Sequence, residues 1–232
     1  MFKYYNRYIA MLLNNKCPLI ILDFDGVILE SVEVKTEAFR RLFSFAPGHV
    51  EEIVNFHREN GGMSRFEKFR YFYRNVLKEP LSDEQYEYLC NRFSELVLDG
   101  VLNSPFVPGS IDFLQYFSAR TSLFLVSATP FTELDKILTQ RDLHHYFKAI
   151  YGSPRPKQEC IAEILSDTVC PEDDAIFVGD ALNDYKAAKT AGVRFIGRVR
   201  SGSTNVFIEK KDVEIVVSDL EELRSYLEGL YC

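Results

Sequence analysis

Short, continuous apolar runs recur along the chain, and stretches with helical spacing separate them. Because nearly every residue of such a run is apolar, the pattern is typical of parallel strands covered on both faces. The alternation of runs and helical stretches predicts an α/β fold with a doubly wound, Rossmann-like parallel sheet. The predicted strands are residues 18–24, 122–127, 149–152, 175–178, 194–199 and 213–217.

One region shows helical spacing throughout. Between residues 34 and 104, aromatic and aliphatic residues recur at three- and four-residue spacing, as in amphipathic helices. Within it, Ser82 is followed three residues later by Gln85, a capping-box pattern that marks the start of a helix. We therefore predict an all-helical insert, residues 34–104, in a core formed by residues 1–33 joined with 105–232.

Composition and charge narrow the classes of function. The chain has 232 residues, 47% of them hydrophobic, and a formal net charge of −7. An acidic chain argues against nonspecific nucleic-acid binding, which needs a basic surface, and no apolar run is long enough for a bilayer. We expect no nucleic-acid or membrane partner.

The five cysteines lack the spacing of zinc ligands, so we expect reduced thiols in a cytoplasmic protein. We expect the first residues to form a short leading helix rather than a signal peptide.

Polar side chains follow the carboxyl ends of four predicted strands, which is where open α/β sheets bind their ligands. Because parallel neighbouring strands end at the same edge of a sheet, we expect these side chains to converge. They are Asp23, Asp25, Ser127, Ser153, Lys157, Asp180 and Asp184.

This set of side chains suits phosphoryl transfer. Converging carboxylates repel one another and need a hard cation, and oxygen ligands favour Mg²⁺. A lysine and a hydroxyl suit a phosphate oxygen. One carboxylate can attack phosphorus, and a second, two residues further on, can protonate the leaving oxygen and then activate water. Gly26 permits a tight turn that would present backbone N–H groups to phosphate.

Four motifs make a family recognisable: DFDGV at 23–27, LVSAT at 125–129, SPRPKQE at 153–159 and GDALND at 179–184. With a helical insert between the first two, the chain resembles haloacid dehalogenase (HAD) superfamily phosphatases with a helical cap, such as phosphoglycolate phosphatase and β-phosphoglucomutase. The resemblance covers nearly the whole chain. It implies Mg²⁺-dependent hydrolysis of a small phosphorylated metabolite, a sugar phosphate or a phosphoglycolate-like compound, through an aspartyl phosphate.

The resemblance also implies roles for the residues of the first three motifs. Asp23 would be the nucleophile and a Mg²⁺ ligand. Asp25 would be the general acid and base, and would bind Mg²⁺ through its backbone carbonyl. Ser127, with Ala128 beside it, and Lys157 would hold the transferring phosphoryl group.

Two further acids and three basic residues complete the implied site. Asp180 would bind the metal directly, and Asp184 would bind it through water or pair with Lys157. The Gly-rich segment before Arg65 resembles a specificity loop that faces the active site. Arg65 and Lys68 either contact distal groups of the substrate or form a solvated basic helix face. Lys35 either attracts an anionic substrate or is a hinge lysine exposed to water.

Two other functions stay open. A β-phosphoglucomutase-like phosphotransferase would isomerise a sugar phosphate, but such relatives carry a histidine where this chain has Lys35. A non-catalytic binding protein on the same scaffold would be expected to have lost one of the acids, and all are present. Asp25 favours ester hydrolysis over dehalogenation, because an oxygen leaving group needs a proton. The histidines, at positions 49, 57, 144 and 145, show no metal-ligand spacing and receive no role.

Overall fold

A six-stranded sheet forms the centre of the molecule. The structure is a computed structural model that describes residues 18–231, so the predicted leading helix lies outside the described residues. The strands are β1 (Leu19–Leu22), β2 (Leu123–Pro130), β3 (Ala149–Ser153), β4 (Ala175–Gly179), β5 (Arg194–Arg198) and β6 (Val216–Val217). They lie in the order β3-β2-β1-β4-β5-β6 and every neighbouring pair is parallel. The predicted α/β class and doubly wound parallel sheet are confirmed.

The apolar runs are continuous because both faces of the sheet are buried. In β1, Ile20 and Leu22 enter one hydrophobic cluster, whereas Leu19 and Ile21 enter a second cluster. Successive side chains of a strand point to opposite faces, so the two clusters lie on the two sides of the sheet. Each cluster is covered by helices, which leaves the strand ends as the place for polar groups.

Nine α-helices accompany the sheet within residues 18–231, and none of them is both long enough and apolar enough to cross a bilayer. The π-helical turn Phe72–Leu77 continues the third helix. The helices are α1 (Val32–Leu42), α2 (Val50–Glu59), α3 (Arg65–Tyr71), α4 (Asp83–Leu102), α5 (Ser110–Ser118), α6 (Phe131–Gln140), α7 (Lys157–Thr168), α8 (Leu182–Ala191) and α9 (Leu220–Tyr231).

Five helices, α1 to α5, lie in the connection between β1 and β2, which the structure describes throughout and which contains no strand, and the first four of them form the insert. Their inner faces are rich in aromatic rings. Phe39 meets the edges of Phe69 and Phe72 at ring-centroid distances of 6.0 and 5.7 Å, an arrangement that aromatic pairs prefer. These rings belong to the same hydrophobic cluster as Ile20 and Leu22 of β1. The inserted helices therefore pack as a continuation of the core.

The strand boundaries differ from the predicted ones by up to three residues, and two of the differences affect the polar residues. β1 ends at Leu22, so Asp23 follows the strand, although its N–H still donates to the Val178 carbonyl at 2.9 Å. β2 continues to Pro130, because that residue pairs with Ser153 of β3 beyond an irregularity in register. The whole second motif, residues 125–129, therefore lies within the strand, whereas the predicted strand ended at Ser127.

The capping box at the start of α4 is confirmed and predicts a stability change. The Ser82 hydroxyl accepts from the Gln85 N–H at 3.2 Å, and the Gln85 side chain accepts from the Ser82 N–H at 3.1 Å. Ser82→Ala removes one partner of a helix N–H, so the free energy of unfolding in urea should fall by about 1 kcal/mol.

Ser166→Ala is the matched control, because Ser166 is an exposed serine inside α7. It should change the free energy of unfolding by less than about 0.5 kcal/mol. Equal losses in the two variants would contradict a capping role for Ser82.

Candidate active site

Three carboxylates meet at the carboxyl ends of β1 and β4. Asp23 follows β1, Asp180 follows β4, and Asp184 lies in the first turn of α8. Oxygen atoms from the three side chains lie within 4.8 Å of one another. The chain crosses over the sheet in opposite directions on the two sides of β1, and a crevice opens at such a point. The sheet order therefore brings together acids that are far apart in the sequence.

A lysine ammonium lies between two of these carboxylates. Lys157, the first residue of α7, donates from Nζ to Asp184 Oδ1 at 2.6 Å and reaches Asp23 Oδ2 at 2.9 Å. The other oxygen of Asp184 accepts from the Ala181 N–H at 3.0 Å. Both ends of the Asp184 carboxylate are thus fixed by partners, and so is the position of the lysine.

Burial and mutual repulsion oppose the ionisation of the acids. Burial raises the pKa of Asp23 to about 7, with repulsion from Asp184 and Asp25 adding to it and Lys157 opposing it. Burial also raises the pKa of Asp180 well above its usual value, together with repulsion from Asp184 and Asp23. Burial opposes the charge of Lys157, but Asp184 and Asp23 outweigh it, so the pKa of Lys157 lies above its usual value.

The charges of this cluster fit a divalent cation. Asp23, Asp180 and Asp184 carry three negative charges when ionised, and the one ammonium of Lys157 leaves two of them unbalanced. One divalent cation would neutralise these, and a set of carboxylate oxygens is what Mg²⁺ prefers. The residues predicted as metal ligands by their side chains are therefore brought together.

The Asp25 carboxylate is held apart from this cluster by three donors. It accepts from Ser31 Oγ at 2.6 Å, from Thr129 Oγ1 at 2.9 Å and from Lys35 Nζ. Burial raises the pKa of Asp25, but the attraction of Lys35 and these hydrogen bonds outweigh burial and hold the pKa below its usual value. Asp25 is therefore a charged carboxylate with separate partners. Its predicted contact with a metal through the backbone carbonyl stays a prediction.

Gly26 forms a turn directly after Asp25. Its φ of 72° is favourable for glycine alone, and a Cβ atom there would lie 2.1 Å from Asp180 Oδ2. The Gly26 N–H donates to the Leu29 carbonyl at 2.7 Å. This N–H is therefore taken up by the turn itself, and the expectation that N–H groups of this turn face a phosphate stays a prediction.

The second motif lies beside the acids in β2. Ser127 is buried, and its Oγ accepts from the Thr129 N–H at 3.1 Å. Ala128 and Thr129 line the same cavity as Asp23 and Asp25. The predicted phosphate-binding residues are thus placed on the strand next to β1, where their role stays a prediction.

A cavity of about 70 Å³ separates the sheet from the inserted helices. The sheet contributes its acids, and the inserted helices contribute the basic side chains Lys35, His57, Arg65 and Lys68. The prediction that Lys35 could be an exposed hinge lysine is wrong, because its ammonium pairs with Asp25 inside this cavity. The cavity is therefore lined by carboxylates on the side of the sheet and by basic side chains on the side of the inserted helices.

The loop between α2 and α3 rests directly on the fourth motif. The Gly61 carbonyl accepts from Asn183 Nδ2 at 2.8 Å. A Cβ atom at Gly61 would lie 3.0 Å from that of Ala181, and one at Gly62 would lie 3.2 Å from Asp184 Oδ1. The two glycines therefore permit the inserted helices to approach the acids closely.

Arg65 is buried in a second contact between the insert and the sheet domain. Its guanidinium donates to Glu133 Oε1 at 2.6 Å and to Ser94 Oγ at 3.0 Å, and it lies 4.5 Å from the centre of the Phe93 ring. The alternative of a solvated basic face is wrong for Arg65 and for Lys68, which are both buried. A contact of either residue with substrate stays a prediction.

Sequence reasoning missed Thr129 and His57 and left Lys35 undecided. A usable signal existed for Lys35, which follows Ser31 by four residues, so both lie on one face of α1 and reach Asp25 together. His57 and Lys68 come from different helices, so no spacing links them.

Comparison with known proteins agrees with this geometry. Residues 20–198 match the family described as haloacid dehalogenase-like hydrolase. The chain is 24% identical over 214 residues to phosphoglycolate phosphatase 1 of Pseudomonas aeruginosa, covering 88% of this chain and 78% of that protein. It is 28% identical over 194 residues to the phosphorylated carbohydrates phosphatase of Thermotoga maritima, covering 78% and 85%. The solved structure of a hydrolase from Pseudomonas syringae shares the fold, with a TM-score of 0.75 at 18% identity over 93% of this chain and 100% of that one.

The close contact at Gly26 predicts a loss of metal affinity. In Gly26→Ala the new methyl group must displace the Asp180 carboxylate, so the affinity for Mg²⁺, measured by isothermal titration calorimetry, should fall about tenfold or more. Gly202→Ala is the matched control, because Gly202 has a φ of 81° but no neighbour within 4 Å. Equal Mg²⁺ affinities in the two variants would contradict the contact.

The Arg65–Glu133 ion pair predicts a loss of stability. Arg65→Met leaves the Glu133 carboxylate buried without its partner, so the free energy of unfolding in urea should fall by about 3–5 kcal/mol. Adding Glu133→Leu removes that buried charge and should restore much of the loss. Arg92→Met breaks an exposed pair with Glu95 and should cost less than about 1 kcal/mol. Similar losses in Arg65→Met and Arg92→Met would show that the pair is not effectively buried.

Proposed function

The chain belongs to the haloacid dehalogenase-like hydrolase family, and from this membership we propose that it is a Mg²⁺-dependent phosphatase acting through an aspartyl phosphate on Asp23. Family membership confirms the resemblance inferred from the four motifs, and with it the expectation of an enzyme of the phosphatase type. The observation that carries the finer proposal is the buried cluster in which Lys157 joins Asp23 and Asp184 beside Asp180. The substrate is a small phosphorylated metabolite, and the two relatives named above act on phosphoglycolate and on phosphorylated carbohydrates.

Asp23 is the nucleophile in this proposal. Its Oδ1 accepts from the Phe24 N–H at 2.7 Å and its Oδ2 is paired with Lys157, so the carboxylate has a fixed orientation. Mg²⁺, held by Asp23, Asp180 and Asp184 and by the backbone carbonyl of Asp25, would stabilise the ionised acids and withdraw charge from the phosphoryl oxygens. An oxygen of Asp23 then attacks phosphorus, and the bond between phosphorus and the ester oxygen breaks.

Asp25 moves the protons. In its protonated form it donates a proton to the departing alcohol oxygen, and as the resulting carboxylate it takes a proton from the water that attacks the phosphorus of the aspartyl phosphate, which restores the protonated form. Inorganic phosphate leaves and the Asp23 carboxylate is restored. Lys35, Ser31 and Thr129 stabilise the charged form of Asp25, so they favour loss of its proton in the first step and maintain the base that the second step needs.

Lys157 changes partner during the reaction. Before attack, its ammonium is shared between Asp23 and Asp184. When Asp23 becomes esterified, the charge of its carboxylate leaves with the ester oxygen, and the phosphoryl oxygens, which keep their own negative charge and are now bonded to Asp23, become the natural partners of Lys157. Ser127 and Ala128 in the adjacent strand complete the binding of this group. A charge fixed where negative charge develops is the usual source of such stabilisation.

The inserted helices act as a cap in this proposal, with residues 34–104 covering a core made of 1–33 and 105–232. Three contacts support the arrangement: Gly61 with Asn183, Arg65 with Glu133, and Lys35 with Asp25. They close the cavity over the acids, and closure excludes bulk water during transfer. The mutase alternative gains no support, because Lys35 stands where a histidine was expected and is engaged by Asp25.

Asp23→Asn tests the proposed function. The amide is a poor nucleophile, so Mg²⁺-dependent phosphate release from 2-phosphoglycolate should fall at least about 10³-fold, measured as free phosphate. The variant should stay folded, because the substitution replaces a buried acid by a neutral side chain of the same shape. Asp167→Asn, at an exposed position of α7, is the matched control and should keep full activity. Retained turnover by Asp23→Asn would refute the nucleophile.

A further inference from the structure

Lys68 differs from the other basic residues of the cavity in its partners. Lys35 is paired with Asp25, and Arg65 is paired with Glu133. Lys68 is only 2% exposed, and its Nζ lies 2.8 Å from His57 Nδ1 and 3.5 Å from the His57 carbonyl. Among residues 18–231, no carboxylate forms an ion pair or a hydrogen bond with Lys68. The cavity therefore holds a buried ammonium that lacks a counter-ion.

His57 adds a second N–H donor that has no acceptor among the described residues of the cavity. Its side chain lines the cavity and is 6% exposed. Burial, together with the charge of Lys68, lowers the pKa of His57 to about 2, so the ring is neutral and its Nδ1 accepts from the lysine. The ring proton is then on Nε2, which has no partner within the described part of the chain. The pair thus offers N–H donors and no free acceptor.

The side chains around Lys68 do not compensate the charge of its ammonium. Burial lowers the pKa of Lys68 to about 7, and repulsion from Lys35 adds to the effect, although Asp180 and Asp25 oppose it. Phe39 and Phe93 form apolar walls nearby, so little polar surface is available to solvate the ammonium. A buried unpaired charge is unfavourable until an opposite charge reaches it. An anion that enters the cavity would supply that charge.

We infer that Lys68, supported by His57, binds a carboxylate on the substrate whose phosphate is attacked by Asp23. The inference rests on the proposed function and narrows it to short phosphorylated hydroxy acids, as opposed to neutral phosphorylated sugars. Lys68, His57 and Asp23 line one cavity of about 70 Å³, so a substrate with its two anionic groups close together fits it. Sugar hydroxyls carry no charge and would leave the ammonium unpaired.

Arg65 is the competing candidate for this role, and its contacts argue against it. Its guanidinium is already shared by Glu133 and Ser94 and stacks on Phe93. The charge of Arg65 is already balanced by a buried acid, so a substrate carboxylate would gain less at Arg65 than at an ammonium with no paired acid. Lys68 gives up no charged partner when it binds an anion, so the two basic residues have different tasks: Arg65 joins the insert to α6, and Lys68 recognises substrate.

The test compares 2-phosphoglycolate with its amide, which has the same shape but no carboxylate charge. With Mg²⁺ present, the wild-type protein should release phosphate from the acid with a kcat/KM about 30-fold or more above that for the amide. In Lys68→Met this preference should fall to within about threefold, mainly through a higher KM for the acid. Lys68→Arg, which keeps the charge, should retain part of the preference. Lys148→Met, an exposed lysine of the core, should retain all of it.

The outcomes separate this inference from the function on which it rests. Equal rates for acid and amide in the wild-type protein, or an undiminished preference in Lys68→Met, would overturn the role of Lys68 alone. Release of phosphate by the wild-type protein from a neutral sugar phosphate such as glucose 6-phosphate, but from neither of these esters, would overturn this inference and leave the proposed function standing, whereas release from none of the three would overturn both. Because the first of these comparisons uses only the wild-type protein, a folding defect in a variant cannot obscure the result.

Discussion

The structure of the site depends on one shared ammonium, that of Lys157, which lies 2.6 Å from Asp184 and 2.9 Å from Asp23. Carboxylates buried this deeply at the carboxyl ends of neighbouring strands repel one another, and they remain together only when cations balance their charge. The first turns of two helices position these groups, because Lys157 is the first residue of α7 and Asp184 lies in the first turn of α8. The remaining charge matches one divalent cation, and the same ammonium is placed to pair with the phosphoryl oxygens once Asp23 has lost its charge.

The inserted helices add a second layer of charge that depends on the first. They reach the acids through the glycine loop at Gly61, which bonds to Asn183, and through the buried pair of Arg65 with Glu133. Lys35 of α1 holds the Asp25 carboxylate, whereas Lys68 of α3 has the neutral His57 as its hydrogen-bonding partner among residues 18–231. In this account the sheet performs the chemistry on phosphorus, and the insert reads the rest of the substrate.

The sequence predicts the sheet well because its strands are buried on both faces, and continuous apolar runs are hard to mistake. It also predicts the acids and Lys157, since each follows or begins an element and parallel strands place those points together. It cannot predict contacts between elements without a shared spacing. His57 of α2 and Lys68 of α3 are brought together by the folding of the insert, and Arg65 is brought to Glu133 by the packing of the insert over α6. The extension of β2 to Pro130 likewise depends on pairing with β3.

The central claim is that the phosphoryl group passes through Asp23, and direct observation of that intermediate tests it. The protein would be mixed with 2-phosphoglycolate and Mg²⁺, quenched rapidly with acid during turnover, digested and analysed by mass spectrometry. The account predicts one phosphoryl group on the peptide that contains residues 23–27, located at Asp23 and absent when Mg²⁺ is omitted. Turnover with no phosphorylated peptide under any quench time, or a phosphoryl group on another residue, would contradict the account.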